Sequence, residues 1–336
     1  MTGLRGTTVA IALLLAALAT VGCGLGPGGD VGSVELTVTR NYGAVPMLRR
    51  SVDAKESDSV MRLLEGSAEI ETRYGGGFVN SIEGVAEGER GGDPYDWFFY
   101  VDGVESPVGA ADVEAKGGES VWWDYRDWAA TNHVPAVVGS WPAPFVDGEG
   151  GEPRPVVVEC AGASPGSFAG SGTTEEPRVA WAGACAATRA ALQAEGVEID
   201  PGSPEGAVRV LVGPWDGLRE DPAARLVEAG PAESGVFADF QAGARPFNGM
   251  PQARTNAGYE LVALDQTGTE AQHLGPDAGL VAATSRYGGP PVWVVTGGTD
   301  AAVRAAADAL DARQLRDHYA VAIEAGKVTP LPVEGR

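Results

Sequence analysis

The chain has 336 residues, 24 Lys and Arg against 46 Asp and Glu, and a formal net charge of −22. That balance excludes nucleic acid as the main ligand, because phosphate binding needs clustered cations, and it excludes a polybasic mode of membrane-surface binding. A hydrophobic fraction of 44% with 21% charged residues is enough for real cores, and the length predicts two domains rather than one.

In chain order, residues 1–23 read as an export signal. Arg5 gives the positive start, residues 9–21 form an apolar run too short for a convincing spanning helix, and the run stops at Gly22-Cys23. Ala19-Thr20-Val21-Gly22-Cys23 resembles a bacterial lipobox with Thr20 where Leu is usual. The resemblance implies lipidation at Cys23 and a protein tethered to the extracytoplasmic face of the cell membrane. Residues 24–33 are a Gly/Pro linker without hydrophobic period.

A first domain is predicted over residues 34–130. Residues 34–39 alternate with period two and read as a strand. Ser57-Asp58 precede Val60, Leu63 and Leu64 at helical spacing, and Gly66 follows as a stop, so one short helix is predicted there. Strands follow at 78–82, 97–101 and 120–125, with turns at Gly75-Gly76-Gly77, Asp102-Gly103 and Lys116-Gly117-Gly118. Residues 131–154 form a Pro/Gly-rich connector. Over 155–333 the pattern changes to strands (156–159, 208–212, 236–240, 259–264, 280–284, 292–296, 319–323) alternating with helices (184–195, 222–229, 301–312), which predicts an α/β domain. The fold class is therefore α+β: a small β-rich domain followed by an α/β domain. Once Cys23 is set aside, Cys160 and Cys185 remain, an even pair that reads as a disulfide in an oxidising compartment, or else as two buried thiols.

The densest chemical feature is aromatic. Tyr95, Trp97, Phe98, Phe99, Tyr100, Trp122, Trp123, Tyr125 and Trp128 all lie within residues 95–128. On a strand Trp97 and Phe99 face one side while Phe98 and Tyr100 face the other, so both faces of the sheet are apolar. The surplus face either packs against the second domain or forms a surface for a flat ligand or partner.

The segments Tyr74-Gly75-Gly76-Gly77-Phe78-Val79-Asn80-Ser81-Ile82-Glu83-Gly84-Val85, Trp97-Phe98-Phe99-Tyr100-Val101-Asp102-Gly103-Val104 and Val121-Trp122-Trp123-Asp124-Tyr125-Arg126, in that order after the helix, resemble the C-terminal domain of transcobalamin and intrinsic factor. The resemblance covers residues 34–128. It implies a β-grasp-like domain that closes over one side of cobalamin with apolar and backbone contacts. Carried over by motif, the ligand-binding positions are Val79, Trp97, Tyr100 and Val108, although Val79 and Val108 also suit an ordinary core. The helical barrel that holds the other side in those carriers is missing, so a second protein is expected to supply that half of the site.

Other motifs carry less. Gly162-Ala163-Ser164-Pro165-Gly166 matches a nucleophile-elbow pattern, but Pro165 has no N–H for an oxyanion hole. His133, His273 and His318 stand apart, without Cys/His or H-E-x-x-H spacing, so no metal site is predicted. The strand-to-helix turn at Thr299-Asp300 reads as a helix cap, because Asp300 would repel an anion. The reading that follows is a membrane-anchored binding lipoprotein, not an enzyme. It requires no cofactor, its candidate ligand is cobalamin or a related corrinoid, and the alternative is an envelope module that binds protein or glycan.

Overall fold

The computed structural model describes residues 28–148, 153–161, 182–202, 205–242, 258–286 and 288–335. The fold is mixed α+β, with a β-rich first part and an α/β second part.

The first part begins with a hairpin of β1 (Asp30–Arg40) and β2 (Val45–Lys55), paired antiparallel. Its turn places Asn41, Tyr42 and Gly43 all at positive φ, a conformation for which Asn and Gly are suited and Tyr is not. Helix α1 (Val60–Glu65) follows, capped by Ser59, whose hydroxyl accepts from the Arg62 N–H at 3.3 Å. The chain then makes a small three-stranded sheet from β3 (Ile70–Arg73), β4 (Phe78–Ile82) and β5 (Val85–Ala86). It returns to the main sheet through β6 (Gly88–Arg90), β7 (Asp93–Val101), β8 (Val104–Glu105) and β9 (Ser120–Asp127).

The order of the main sheet is β2-β1-β9-β7-β6, with β8 also on β7. Strands β1 and β9 lie side by side and parallel, while β7 runs antiparallel to β9. A hairpin, a crossover through a helix, and a first strand paired in parallel with the last make the arrangement β-grasp-like. Val34, Leu36 and Val38 of β1 alternate onto one face and meet Val60, Leu63 and Leu64 of α1, together with Trp97, Trp123 and Tyr125.

The second part is built on a six-stranded mixed sheet. Strands β10 (Val156–Cys160), β11 (Val208–Pro214) and β16 (Val292–Gly297) are parallel. Strands β15 (Gly279–Thr284), β17 (Ala320–Glu324) and β18 (Lys327–Leu331) extend it antiparallel, in the order β10-β11-β16-β15-β17-β18. Helices over Ala182–Ala194 and Asp300–Asp308 cover one face, where Leu192, Val210, Val212, Trp293, Val295 and Val303 share a core. Cys160 and Cys185 are joined in a disulfide with Cα atoms 6.2 Å apart, tying β10 to the first of these helices. The other face packs on a three-stranded sheet of β12 (Ala238–Ala242), β13 (Tyr259–Leu264) and β14 (Glu270–His273).

That second core does not stop at the α/β part. Phe237, Phe240, Leu261 and Tyr319 lie in one continuous apolar cluster with Tyr42, Tyr100 and Trp122 of the β-rich part. The surplus aromatic face of the β-rich sheet is therefore covered by the chain's own C-terminal half.

Candidate functional site

The two faces of β7 have different fates. On the α1 side, Trp97 is buried and its indole N–H donates to the Val85 carbonyl at 2.9 Å, while Phe99 stacks on Trp123 with centroids 4.8 Å apart. On the other side, Tyr100 is fully buried against Trp122 and Tyr319, and its hydroxyl lies 3.2 Å from that of Tyr319. Val79 belongs to the α1 core. Trp97 and Val79 thus lie in one core, Tyr100 lies in the other, and only Val108 is open to solvent, at 51% exposure. As a ligand-binding set, Val79, Trp97, Tyr100 and Val108 are not brought together, because the first three contribute to packing instead.

The seam between the two halves is polar at its centre. The Asp124 carboxylate, fully buried, accepts from the Thr39 hydroxyl (2.5 Å), the Tyr42 N–H (2.9 Å), the Gly43 N–H (3.1 Å) and the Tyr319 hydroxyl (3.1 Å). Burial nevertheless pushes its carboxyl up to about 6, against the pull of these donors and of Arg126. Arg126, also buried, lies 3.7 Å from the ring centroid of Phe98 and donates to the Thr131 carbonyl at 2.8 Å. Glycines let the backbones close: a Cβ on Gly139 would stand 2.8 Å from both the His318 nitrogen and the Trp122 ring, and one on Gly43 would overlap the Asp317 carbonyl. This chemistry is that of an internal contact in which the Asp124 carboxylate is fully supplied with donors, while Nε and Nη2 of Arg126 are buried without a partner.

The exposed apolar surface lies elsewhere in the β-rich part. Six large apolar side chains are exposed among the described residues, and three of them, Tyr74 (87%), Phe78 (36%) and Val108 (51%), sit on one edge. The rings of Tyr74 and Phe78 meet edge to face at 6.4 Å. The loop carrying Val108 touches this turn, since a Cβ on Gly109 would stand 3.4 Å from the Gly77 carbonyl oxygen. Gly75 and Gly76 both have positive φ, and a Cβ on either would meet nothing within 4 Å, so their backbone is open. The geometry is an apolar rim beside a glycine-rich 3₁₀ turn, Tyr74–Gly76, with open space around it. Sequence reasoning selected Val79, one residue from Phe78; on a strand that one step moves the side chain from the rim to the core. Tyr74 and Phe78 bracket three glycines, whose missing side chains leave their flanking rings little local cover.

The remaining sequence features settle into structural roles or lie outside the described residues. Cys23 and Ser164 are in the latter group. His133 pairs with Glu105 at 2.8 Å, and this hydrogen bond raises its pKa above the usual imidazole range. His273 lies 3.6 Å from Glu270 at the surface, and burial lowers the pKa of His318. Among the described residues no group of three or more His, Cys, Asp or Glu is arranged to hold a metal ion. Thr299 caps its helix, accepting from the Ala302 N–H at 3.1 Å, so that turn is already occupied by its own side chain.

Among curated proteins none matches the chain. Residues 57–127, which run from the cap of α1 to the end of β9 and so include the whole rim, match the family described as a domain of unknown function, DUF4430.

Proposed function

We propose that the protein is a lipid-tethered binding protein on the extracytoplasmic face of the membrane, and that its β-rich domain offers the Tyr74–Phe78–Val108 rim to a flat, largely apolar ligand. A single observation carries this reading. Among the six exposed large apolar side chains, Tyr74 and Phe78 meet at one edge with Val108 exposed on the adjoining loop, whereas Tyr100, Trp122, Trp123 and Tyr125 are buried. Isolated exposed apolar residues need no explanation, but a cluster on a rigid edge is the usual mark of a contact surface. The edge of a corrin ring, with its apolar substituents, suits exposed apolar side chains beside a turn with no side chains in the way. Cobalamin or a related corrinoid is therefore the ligand to test first. The shallow rim covers only one side of such a molecule, which leaves the other for a second protein.

The test is a titration of the full-length protein in detergent with cyanocobalamin, followed by the ligand's visible absorbance. Saturable binding is expected, weakened about tenfold, equivalent to ~1.4 kcal/mol, in Tyr74→Ser and in Val108→Ser. If no binding is seen at millimolar ligand, or if both rim variants bind as the parent does, the corrinoid reading is wrong and protein or glycan partners on the same rim become the next probes.

A further inference from the structure

An open β-sheet ends in strands whose outer peptide groups have no partner, and proteins shorten, cover or distort such edges to keep other chains off them. Most edges of this molecule are short. The outer strands β3, β5, β10, β12, β14 and β18 have two to five residues each, and β6 and β8, on the far side of the main sheet, have three and two. Strand β2 differs: it has eleven residues and pairs only with β1. Register shifts near its ends leave residues 48–54 as an unbroken ladder of seven pairs, longer than the usual strand of about 5–6 residues. On the side away from β1, no described residue makes a hydrogen bond to the peptide groups of this run.

The register also decides which side chains stand along the edge. Residues opposite each other across a ladder share a face. Leu48, Arg50 and Val52 stand opposite Val38, Leu36 and Val34 and so lie on the α1 side, whereas Arg49, Ser51 and Asp53 lie on the side of the C-terminal half. Arg49 is held by Asp317 at 2.5 Å, which ties the inner side of the strand to the second half of the molecule and steadies the edge. Leu48 and Val52 are half-buried against the α1 core, and Arg50 between them is exposed. Arg50 has no ion-pair or hydrogen-bond partner among the described residues. The edge thus presents an apolar, a cationic and an apolar side chain at alternate positions, beside a row of unmet peptide groups.

Charge decides what fits there. A second copy of β2 laid antiparallel on the first would gather Arg49 and Arg50 of both strands at the middle of the run, and like charges facing across a ladder are destabilising. The formal net charge of −22 on each molecule adds to that repulsion. A foreign strand with one acidic residue opposite Arg50 and an apolar residue two positions to either side satisfies all three side chains at once. In such strand addition the main chain supplies affinity and the alternate side chains supply specificity.

We propose that the outer edge of β2 takes up an extended segment of a partner protein as an added strand, with the sequence pattern apolar-x-acidic-x-apolar. The segment extends the main sheet beyond β2, its carboxylate pairs with Arg50, and its apolar side chains cover Leu48 and Val52. The site lies on a different element from the rim and does not depend on the ligand proposed there.

The test uses the full-length protein in detergent and a capped, fluorescein-labelled peptide of sequence TVSESVT, with fluorescence anisotropy as the signal. Saturable binding is expected, and TVSQSVT, which loses only the charge, is expected to bind about threefold weaker. Arg50→Glu, with an unchanged circular dichroism spectrum, is expected to reverse the preference in favour of TVSKSVT, whereas the rim variant Tyr74→Ser changes nothing. Two further peptides, N-methylated on one or the other alternate set of peptide nitrogens, separate strand addition from side-chain docking. Only one set faces β2 in an added strand, so one methylated peptide binds and the other does not. The proposal is overturned if no peptide binds saturably at about 1 mM, if the glutamate and glutamine peptides bind alike, or if the two methylated peptides bind alike. A parent that is already dimeric, and whose dimer the peptide dissociates, would show a second copy on this edge and overturn it too.

Discussion

Asp102 shows how one side chain can set the pH response of the fold. It occupies the left-handed first position of the β7–β8 turn, at φ 50°, followed by Gly103 at φ 79°. One carboxyl oxygen accepts from the Ser120 N–H, and the other is buried without a partner, as is one oxygen of Glu119 beside it. Burial, then the charges of Glu119 and Asp147, push the Asp102 carboxyl up to about 8, while the Ser120 N–H pulls the other way. With the folded value above the unfolded one, the native state keeps a proton that the unfolded chain releases. The stabilisation is complete below about pH 4 and is lost as the pH rises through about 8. Asp96 and Asp124, each raised by burial to about 6, add to the lower part of the same slope. Asp102→Asn keeps the acceptor for Ser120, adds a donor next to Glu119 and suits the positive φ. Its thermal midpoint, followed by circular dichroism across this pH range, is expected to match the parent in acid and to exceed it at about pH 8 by the equivalent of a few kcal/mol. Two parallel curves would show that Asp102 is charged in the native state at neutral pH and that its burial is offset by a contact not identified in the structure.

At the scale of elements, the helix Asp300–Asp308 shows what close packing on a sheet requires. Gly279 and Gly297 face each other across the β15–β16 ladder, and Ala302 and Ala306 of the helix sit directly above them. A Cβ on Gly297 would overlap that of Ala302. Gly297→Ala is therefore expected to destabilise the protein by about 1–3 kcal/mol through overpacking. Thr299→Ala, which removes the cap, is expected to cost about 1 kcal/mol. Urea unfolding with an unchanged slope measures both, and a neutral Gly297→Ala would mean that the helix rides higher than its contacts indicate.

This helix was legible in the sequence because cap, alanine period and preceding apolar strand all agree. Strand β1 was legible from its period-two alternation, and β11 and β16 because, buried on both sides, they read as runs rich in Val, Leu and Trp. Strands β2, β14 and β18 were missed. They lie at sheet edges, and Arg49-Arg50 in β2 or Glu270 and Gln272 in β14 give no apolar alternation. The segment from Pro222 has helical composition, but it forms only a 3₁₀ turn over Ala224–Ala229, ended by Gly230 at φ 83°. At the site, composition identified the aromatic segments correctly but not which rings face solvent. That depends on Tyr319 and Phe237, more than a hundred residues further along the chain, which no local pattern connects to Tyr100.

Taken as a whole, the molecule is held as one body by a core that crosses the boundary of its halves. Tyr42, Tyr100 and Trp122 enter the same apolar cluster as Phe237 and Tyr319, around the Asp124 hydrogen bonds and the buried Arg126. Neither half can leave this contact without exposing large aromatic surface and taking the Tyr319 hydroxyl from the buried Asp124 carboxylate, each of which is costly. Unfolding is therefore expected to be a single transition, with tryptophan fluorescence and far-ultraviolet circular dichroism coinciding. A chain truncated after Trp128 provides the sharper check. It retains every strand of the β-grasp-like sheet and the α1 core, but bares Phe98, Tyr100 and Trp122 on one face. Such a contiguous apolar face is expected to bind the dye ANS and to self-associate on size-exclusion chromatography more than the intact protein does. If the fragment is instead monomeric, dye-silent and as stable as the parent, the seam is an incidental contact, and the aromatic face becomes available to the flat ligands that the rim alone is now proposed to meet.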